Sequence, residues 1–246
     1  VSGQTRSSNG RFAAVFFDLD GTLVSERTGV REARTAVGAK LIELGLYEKP
    51  ASAFADTVEI VIGGIMEDND WQWPLWLHAE EWMKRSLAVS GVKVGEDEFR
   101  ELNRVYRDER SDRAAAIDGW QEVLAAARAH GPIGLITNFN DGAMQREKIR
   151  GAGLEGQFDG IYISGEVGVW KPEPGIFEHA AEDLGVAPSD CVHIGNNIQS
   201  DVEGAIAAGM QAVLVEEDDR PRPPSLNGDV VWCEDLYGVT NWLQGG

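Results

Sequence analysis

The stretch Val15-Phe16-Phe17-Asp18-Leu19-Asp20-Gly21-Thr22-Leu23-Val24 constrains the fold more than any other part of the chain. The apolar run from Ala13 to Phe17 reads as a short buried strand of a parallel sheet. It ends on two carboxylates spaced i, i+2, and a Gly-Thr turn follows at once. Side chains at i and i+2 of an extended segment share a face. Asp18 and Asp20 are therefore expected together at the carboxyl end of a strand, where open α/β sheets bind their ligands. Oxygen ligands in such a pair suit a hard cation such as magnesium, and a carboxylate also serves as a nucleophile. Read alone, the stretch is equally an acidic turn after a strand, because Asp and Gly are ordinary turn residues.

The rest of the chain separates into two patterns. Between Ser25 and Arg113 no strand pattern appears. Apolar residues recur at helical intervals over 32–46, 51–66, a third segment that includes Leu75, Trp82, Met83 and Leu87, and 96–112. From Ala114 onward, strands alternate with helices, as in α/β folds. Helices are expected at 119–130, 141–151, 174–184, 201–208 and 236–243, and strands at 133–137, 161–164, 191–194, 211–215 and 230–232. The expected architecture is a Rossmann-like parallel sheet core with helices on both faces, over 11–24 and 113–246. A small all-helical unit over 25–112 is inserted into it. Val1 to Arg11, rich in Ser and Gly and without an apolar stretch, reads as a flexible tail over 1–10 rather than a signal peptide.

Three of the later strands end in informative residues. The first ends at Thr137-Asn138, whose hydroxyl, amide and backbone N–H groups suit phosphate oxygens; both are also ordinary turn residues. The second precedes Lys171 in Val169-Trp170-Lys171-Pro172-Glu173-Pro174, where an ammonium offers a point charge to phosphate or to an ionised nucleophile. The third ends at Gly195-Asn196-Asn197, with Asp201 beyond, polar groups suited to completing a cation site.

Charge narrows the class of ligand. With 41 acidic against 22 basic residues and a net charge of −19, the chain is unsuited to neutralising nucleic-acid phosphates or docking on an anionic membrane. A small phosphorylated molecule stays compatible, since one lysine and one cation reverse the field locally. No segment approaches the length of a membrane span. Cys191 and Cys233 form neither a disulfide framework nor a metal-ligand spacing. A cytoplasmic location is the simplest expectation.

Asp18-Leu19-Asp20-Gly21-Thr22, Leu135-Ile136-Thr137-Asn138, Lys171-Pro172-Glu173-Pro174 and Gly195-Asn196-Asn197 with Asp201-Val202-Glu203-Gly204-Ala205 follow one another in order. In this they resemble the four motifs of the haloacid dehalogenase superfamily. The resemblance runs from about Arg11 to the C-terminus and is to the phosphatase-type subgroup with a helical cap after the first motif. It implies a magnesium-dependent phosphatase of a small phosphorylated metabolite. Asp18 would form an aspartyl-phosphate, and Asp20 would act as acid and then base. Thr137, Asn138 and Lys171 would hold the phosphoryl group. Asp18, the backbone carbonyl of Asp20, and Asn196 would hold magnesium, with Asp201 behind them. One position departs from the pattern: many members carry an aspartate where Asn196 stands, and an amide brings an oxygen without charge. A phosphotransferase or mutase on the same fold, and a degenerate binding module with a weakened metal site, are the alternatives. Asp20 argues against a dehalogenase, which lacks the second aspartate.

Trp71, Trp73, Trp76 and Trp82 crowd one part of the helical insert. Trp82 shares its apolar face and is expected in the core; Trp73 and Trp76 suit either a core or a pocket lining. His193 is expected to be packed rather than catalytic, and Cys191 to behave as a small core residue. His78, His130 and His179 are expected to be exposed or half-buried.

Overall fold

The computed structural model describes residues 11–25, 29–68, 79–215 and 230–245. The expected tail, the loop over 219–227, Trp71, Trp73, Trp76 and His78 lie outside the described residues. The chain opens with β1 (Ala14–Phe17) and continues through α1 (Val30–Glu43), α2 (Ala51–Glu67), α3 (Ala79–Val89) and α4 (Glu96–Asp112). There follow α5 (Trp120–Arg128), β2 (Ile133–Thr137), α6 (Gly142–Gly151), β3 (Gly160–Ile163), α7 (Ser164–Val167) and α8 (Pro174–Asp183). The chain then forms β4 (Cys191–Gly195), α9 (Gly204–Ala207), β5 (Gln211–Val215), β6 (Val231–Cys233) and α10 (Leu236–Leu243).

The six strands make one parallel sheet in the order β3-β2-β1-β4-β5-β6. Both faces are covered, and the period of two along each strand decides which side chain goes where. Val15 and Phe17 of β1 face Val123, Leu124 and Ala127 of α5 and Val239 and Leu243 of α10 in one apolar cluster. Ala14 and Phe16 point the other way, into a second cluster with Ile176, Phe177, Ala180 and Ala181 of α8. This accounts for β1 being apolar without alternation: a strand buried on both faces has no polar side. Cys191 packs in the second cluster as expected.

The chain divides into two compact units, with boundaries between Glu26 and Arg27 and between Arg113 and Ala114. The first boundary lies beyond Val24 because the backbone stays paired with the sheet-bearing unit. Val24 bridges Ala116, and Ser25 N donates to Ala115 O at 3.0 Å. Among its described residues the inserted unit has helices as its only regular elements, joined by short turns, and it has its own core, including Val37, Leu41, Phe54, Val58, Met83 and Leu102. Trp82 belongs to that core, edge-on to Tyr106 at 4.9 Å between ring centroids.

Two expected elements are corrected. Ser164 does not end β3 but opens α7, because its Oγ accepts from Phe139 N at 2.9 Å and the chain turns off the sheet there. The helix expected from Asp201 begins earlier. Asn197 caps it by accepting from Ser200 N at 2.8 Å, and Ile198–Glu203 form a π-helix that passes into α9. A π-turn of this kind redirects side chains and recurs at functional sites.

Candidate active site

Strand register brings the polar strand ends together. Phe17 pairs with Leu135 on one side and with Ile194 on the other, so Asp18 follows directly between the ends of β2 and β4. Asp18 N donates to Ile194 O at 2.9 Å, which holds the residue in line with the sheet. The sheet winds in opposite directions from β1, and the crevice at such a reversal is where doubly wound folds bind ligands.

At the centre is a buried ionic trio. Lys171 Nζ donates to Asp18 Oδ1 and to Asp201 Oδ1, both at 2.6 Å. Asp18, Lys171 and Asp201 are 5%, 2% and 1% exposed. The Asp201 Oδ2 atom accepts from Asn197 N at 3.0 Å, and its Oδ1 also lies 3.2 Å from His193 Nε2. Asp201 reaches this place because Gly195 has no side chain: a Cβ there would collide with the Asp201 carboxyl group. Burial holds His193 below its ordinary range, and Asp201 opposes that only in part. The neutral ring therefore donates from Nε2, while its buried Nδ1 has no partner among the described residues.

Two carboxylates against one ammonium leave one negative charge uncompensated in a buried place. Burial pushes the Asp18 carboxyl up to about 7, with Lys171 opposing and Asp201 and Asp20 reinforcing the rise. Burial also acts against ionised Asp201, but Lys171 and His193 outweigh it and hold that carboxyl below the usual range. Lys171 is raised despite its burial, because both carboxylates face it.

Asp20 is gripped from α6. Lys148 Nζ donates to Asp20 Oδ1 at 2.7 Å and Gln145 Nε2 to Asp20 Oδ2 at 2.8 Å. The same Gln145 nitrogen lies 2.8 Å from Thr137 Oγ1. Thr137 is thus at the site, with Oγ1 as acceptor and its own hydrogen left to donate. The Asn138 amide is tied to the backbone of Lys171. Its Oδ1 accepts from Lys171 N and its Nδ2 donates to Lys171 O, both at 2.9 Å. The amide thus fastens the Lys171 backbone through its oxygen and one of its two N–H donors. Asn196 lies against the turn after Asp20. Gly21 has φ +79°, and a Cβ there would collide with the Asn196 amide.

The family model for haloacid dehalogenase-like hydrolases matches residues 12–209. The chain belongs to this family. Mouse N-acylneuraminate-9-phosphatase is 30% identical to this hydrolase over 207 residues, 83% of this chain and 82% of the relative. Phosphoserine phosphatase of Thermus thermophilus is 43% identical over 111 residues, 45% of this chain and 44% of that one. The fold is shared with YfnB of Bacillus subtilis, a HAD-hydrolase crystallised with magnesium. The TM-score is 0.71 at 17% identity, over 95% of this chain and 99% of that chain. The parallel Rossmann-like architecture expected from the motifs is therefore the one observed.

In this hydrolase the sheet brings together Asp18, Asp20, Thr137, Lys171, Asn196 and Asp201. Gln145, Lys148 and His193 as partners of these residues went unread in the sequence. A signal for the first two was present. The inward face of α6 carries Met144, Gln145, Lys148 and Ile149, and a Gln–Lys pair spaced i, i+3 on the apolar side of a short helix calls for a buried polar partner. His193 offered no such signal, because an alternate strand position reads the same whether its neighbour is a core or a carboxylate.

Proposed function

We propose that this hydrolase is a magnesium-dependent phosphatase acting on a small phosphorylated metabolite through an aspartyl-phosphate on Asp18. The observation that carries the reading is the buried Asp18–Lys171–Asp201 trio at the crevice of the sheet. A carboxylate held by a buried ammonium is oriented for attack, and the same ammonium is placed to meet phosphoryl oxygens. The Asp18 carboxylate attacks phosphorus, the bond to the substrate oxygen breaks, and Asp20 gives that oxygen a proton. Asp20 then takes a proton from water, which attacks phosphorus; the Asp18–phosphorus bond breaks and inorganic phosphate leaves. Thr137 donates its hydroxyl hydrogen to a phosphoryl oxygen. Asn138 acts through its grip on Lys171, and Asp201 and His193 keep the ammonium in place.

The donor set fits magnesium. Asp18, the Asp20 carbonyl and Asn196 are all oxygen donors, the kind a hard cation takes, and the trio's uncompensated charge favours a cation beside it. No group of three His, Cys, Asp or Glu side chains suited to a metal occurs among the described residues. The set thus has one carboxylate, one amide and one backbone carbonyl, which lowers its charge. A bound magnesium ion screens the negative charges of nucleophile and phosphate. Asp201, with both oxygens engaged by Lys171, His193 and Asn197, does not replace the missing charge at Asn196. The helical insert is assigned the role of a cap that carries substrate choice.

The test is phosphate release from a panel including phosphoserine, an acylated sugar-acid 9-phosphate, nucleotides and sugar phosphates, with magnesium and with chelator. Magnesium-dependent release that Asp18→Asn abolishes is the expected result. Isomerised sugar phosphate without free phosphate would identify a mutase instead. Full activity of Asp18→Asn would remove the nucleophile assignment.

A further inference from the structure

We propose that Gln145 and Lys148 are positioning residues that hold Asp20 for hydrolysis of the phosphorylated enzyme; this rests on the phosphatase reading above. Both project from the inward face of α6, where Gln145 is 0% and Lys148 5% exposed. One grips each oxygen of Asp20, at 2.8 and 2.7 Å. Donors on both oxygens, carried by one helix, stop the carboxylate from rotating. Asp20 lies in the turn after β1, whose backbone alone does not aim the side chain. A general base must keep a lone pair within hydrogen-bond reach of the water it activates.

The orientation of the Gln145 side chain is set by its donors. Its Nε2 serves Asp20 and Thr137 together, while its buried Oε1 has no partner among the described residues. An unsatisfied buried oxygen is destabilising. Turning the amide over would set its oxygen against the Asp20 carboxylate and give up the bond to it. The side chain is therefore held by its donors, and those donors join the acid–base residue to the hydroxyl that meets the phosphoryl group. Lys148 is steadied in turn by Phe139, whose ring centroid lies 5.0 Å from its Nζ.

The experiment uses the full chain with magnesium and p-nitrophenyl phosphate, whose leaving phenolate needs no proton. With this ester, formation of the aspartyl-phosphate does not call on Asp20, whereas its hydrolysis does. Lys148→Met is expected to lower kcat by about tenfold, the small end of general-base effects because Asp20 itself remains. The ratio kcat/KM, which reports the first step, is expected to stay within about threefold. Rapid mixing should then show a burst of p-nitrophenolate of roughly one equivalent before the slow phase. Gln145→Leu, which removes no charge, is expected to do the same and serves if Lys148→Met fails to fold. A fall in kcat and kcat/KM together without a burst, or no change in either, overturns the proposal while parental turnover leaves the phosphatase reading intact. A parent with no turnover that Asp18→Asn can abolish overturns both.

Discussion

Replacing Asp18, the proposed nucleophile, should stabilise this hydrolase. Asp18 titrates at 3.8 in an unfolded chain and near 7 in the fold, where burial is the largest cause and Asp201 and Asp20 add to it. The folded value is the higher one, so the stability the neutral carboxyl contributes is present below pH 3.8 and lost as pH rises through 7. At about 1.4 kcal/mol per pH unit, the ionised side chain costs the fold about 4 kcal/mol at pH 8, falling to about 2 kcal/mol at pH 5. Asp18 is 5% exposed, so solvent screening does little to reduce this. Asn in its place resembles the neutral acid, and Lys171 keeps its pair with Asp201. Asp18→Asn is expected to be inactive and to melt higher than the parent in chelator at pH 8. The rise should be about 8–16 °C, using about 2–4 °C per kcal/mol for a chain of this size, and should shrink toward pH 5. Saturating magnesium should narrow the gap, because a ligand stabilises only the state that binds it. Melting curves of both proteins across pH 5 to 8, with and without metal, provide the measurement. Equal melting at pH 8, or a gain that widens as pH falls, would mean that burial of the ionised Asp18 does not destabilise the fold.

Asn196→Asp is expected to tighten magnesium binding by about tenfold in calorimetry, through one added ligand charge; superimposable titrations would take Asn196 away from the metal. His193 contributes to the acid side of the stability profile, at higher pH than the carboxylates do. Its folded value is lowered by burial from 6.5, so its contribution is present above pH 6.5 and lost as pH falls below it. In the Asp18→Asn background, which removes the opposing slope, stability should fall as pH drops below about 6.5. His193→Gln should flatten that fall, and unchanged urea-unfolding profiles would exclude His193 as its source.

Much of the fold follows from local pattern. Ile133–Thr137, Gln211–Val215, Glu96–Asp112 and Leu236–Leu243 occur where periodicity places them, because the period of the apolar residues is also the period of the element. The misplaced boundaries, a strand end at Ser164 and a helix start at Asp201, are cases where one side-chain hydrogen bond redirected the backbone. A hydroxyl taking Phe139 N and an amide taking Ser200 N are choices that apolar periodicity does not register.

The candidate site divides the same way. The order of the four motifs and the placement of Asp18, Thr137 and Gly195 at strand ends were legible in the amino-acid sequence. Each of these depends on residues that are neighbours in the chain. It takes the folded chain to share one ammonium between Asp18 and Asp201, to tie the Asn138 amide to the Lys171 backbone, and to bring α6 across to grip Asp20. These contacts join residues about 30 to 150 positions apart, and the register of a parallel sheet, set by packing on both its faces, brings them within hydrogen-bond reach.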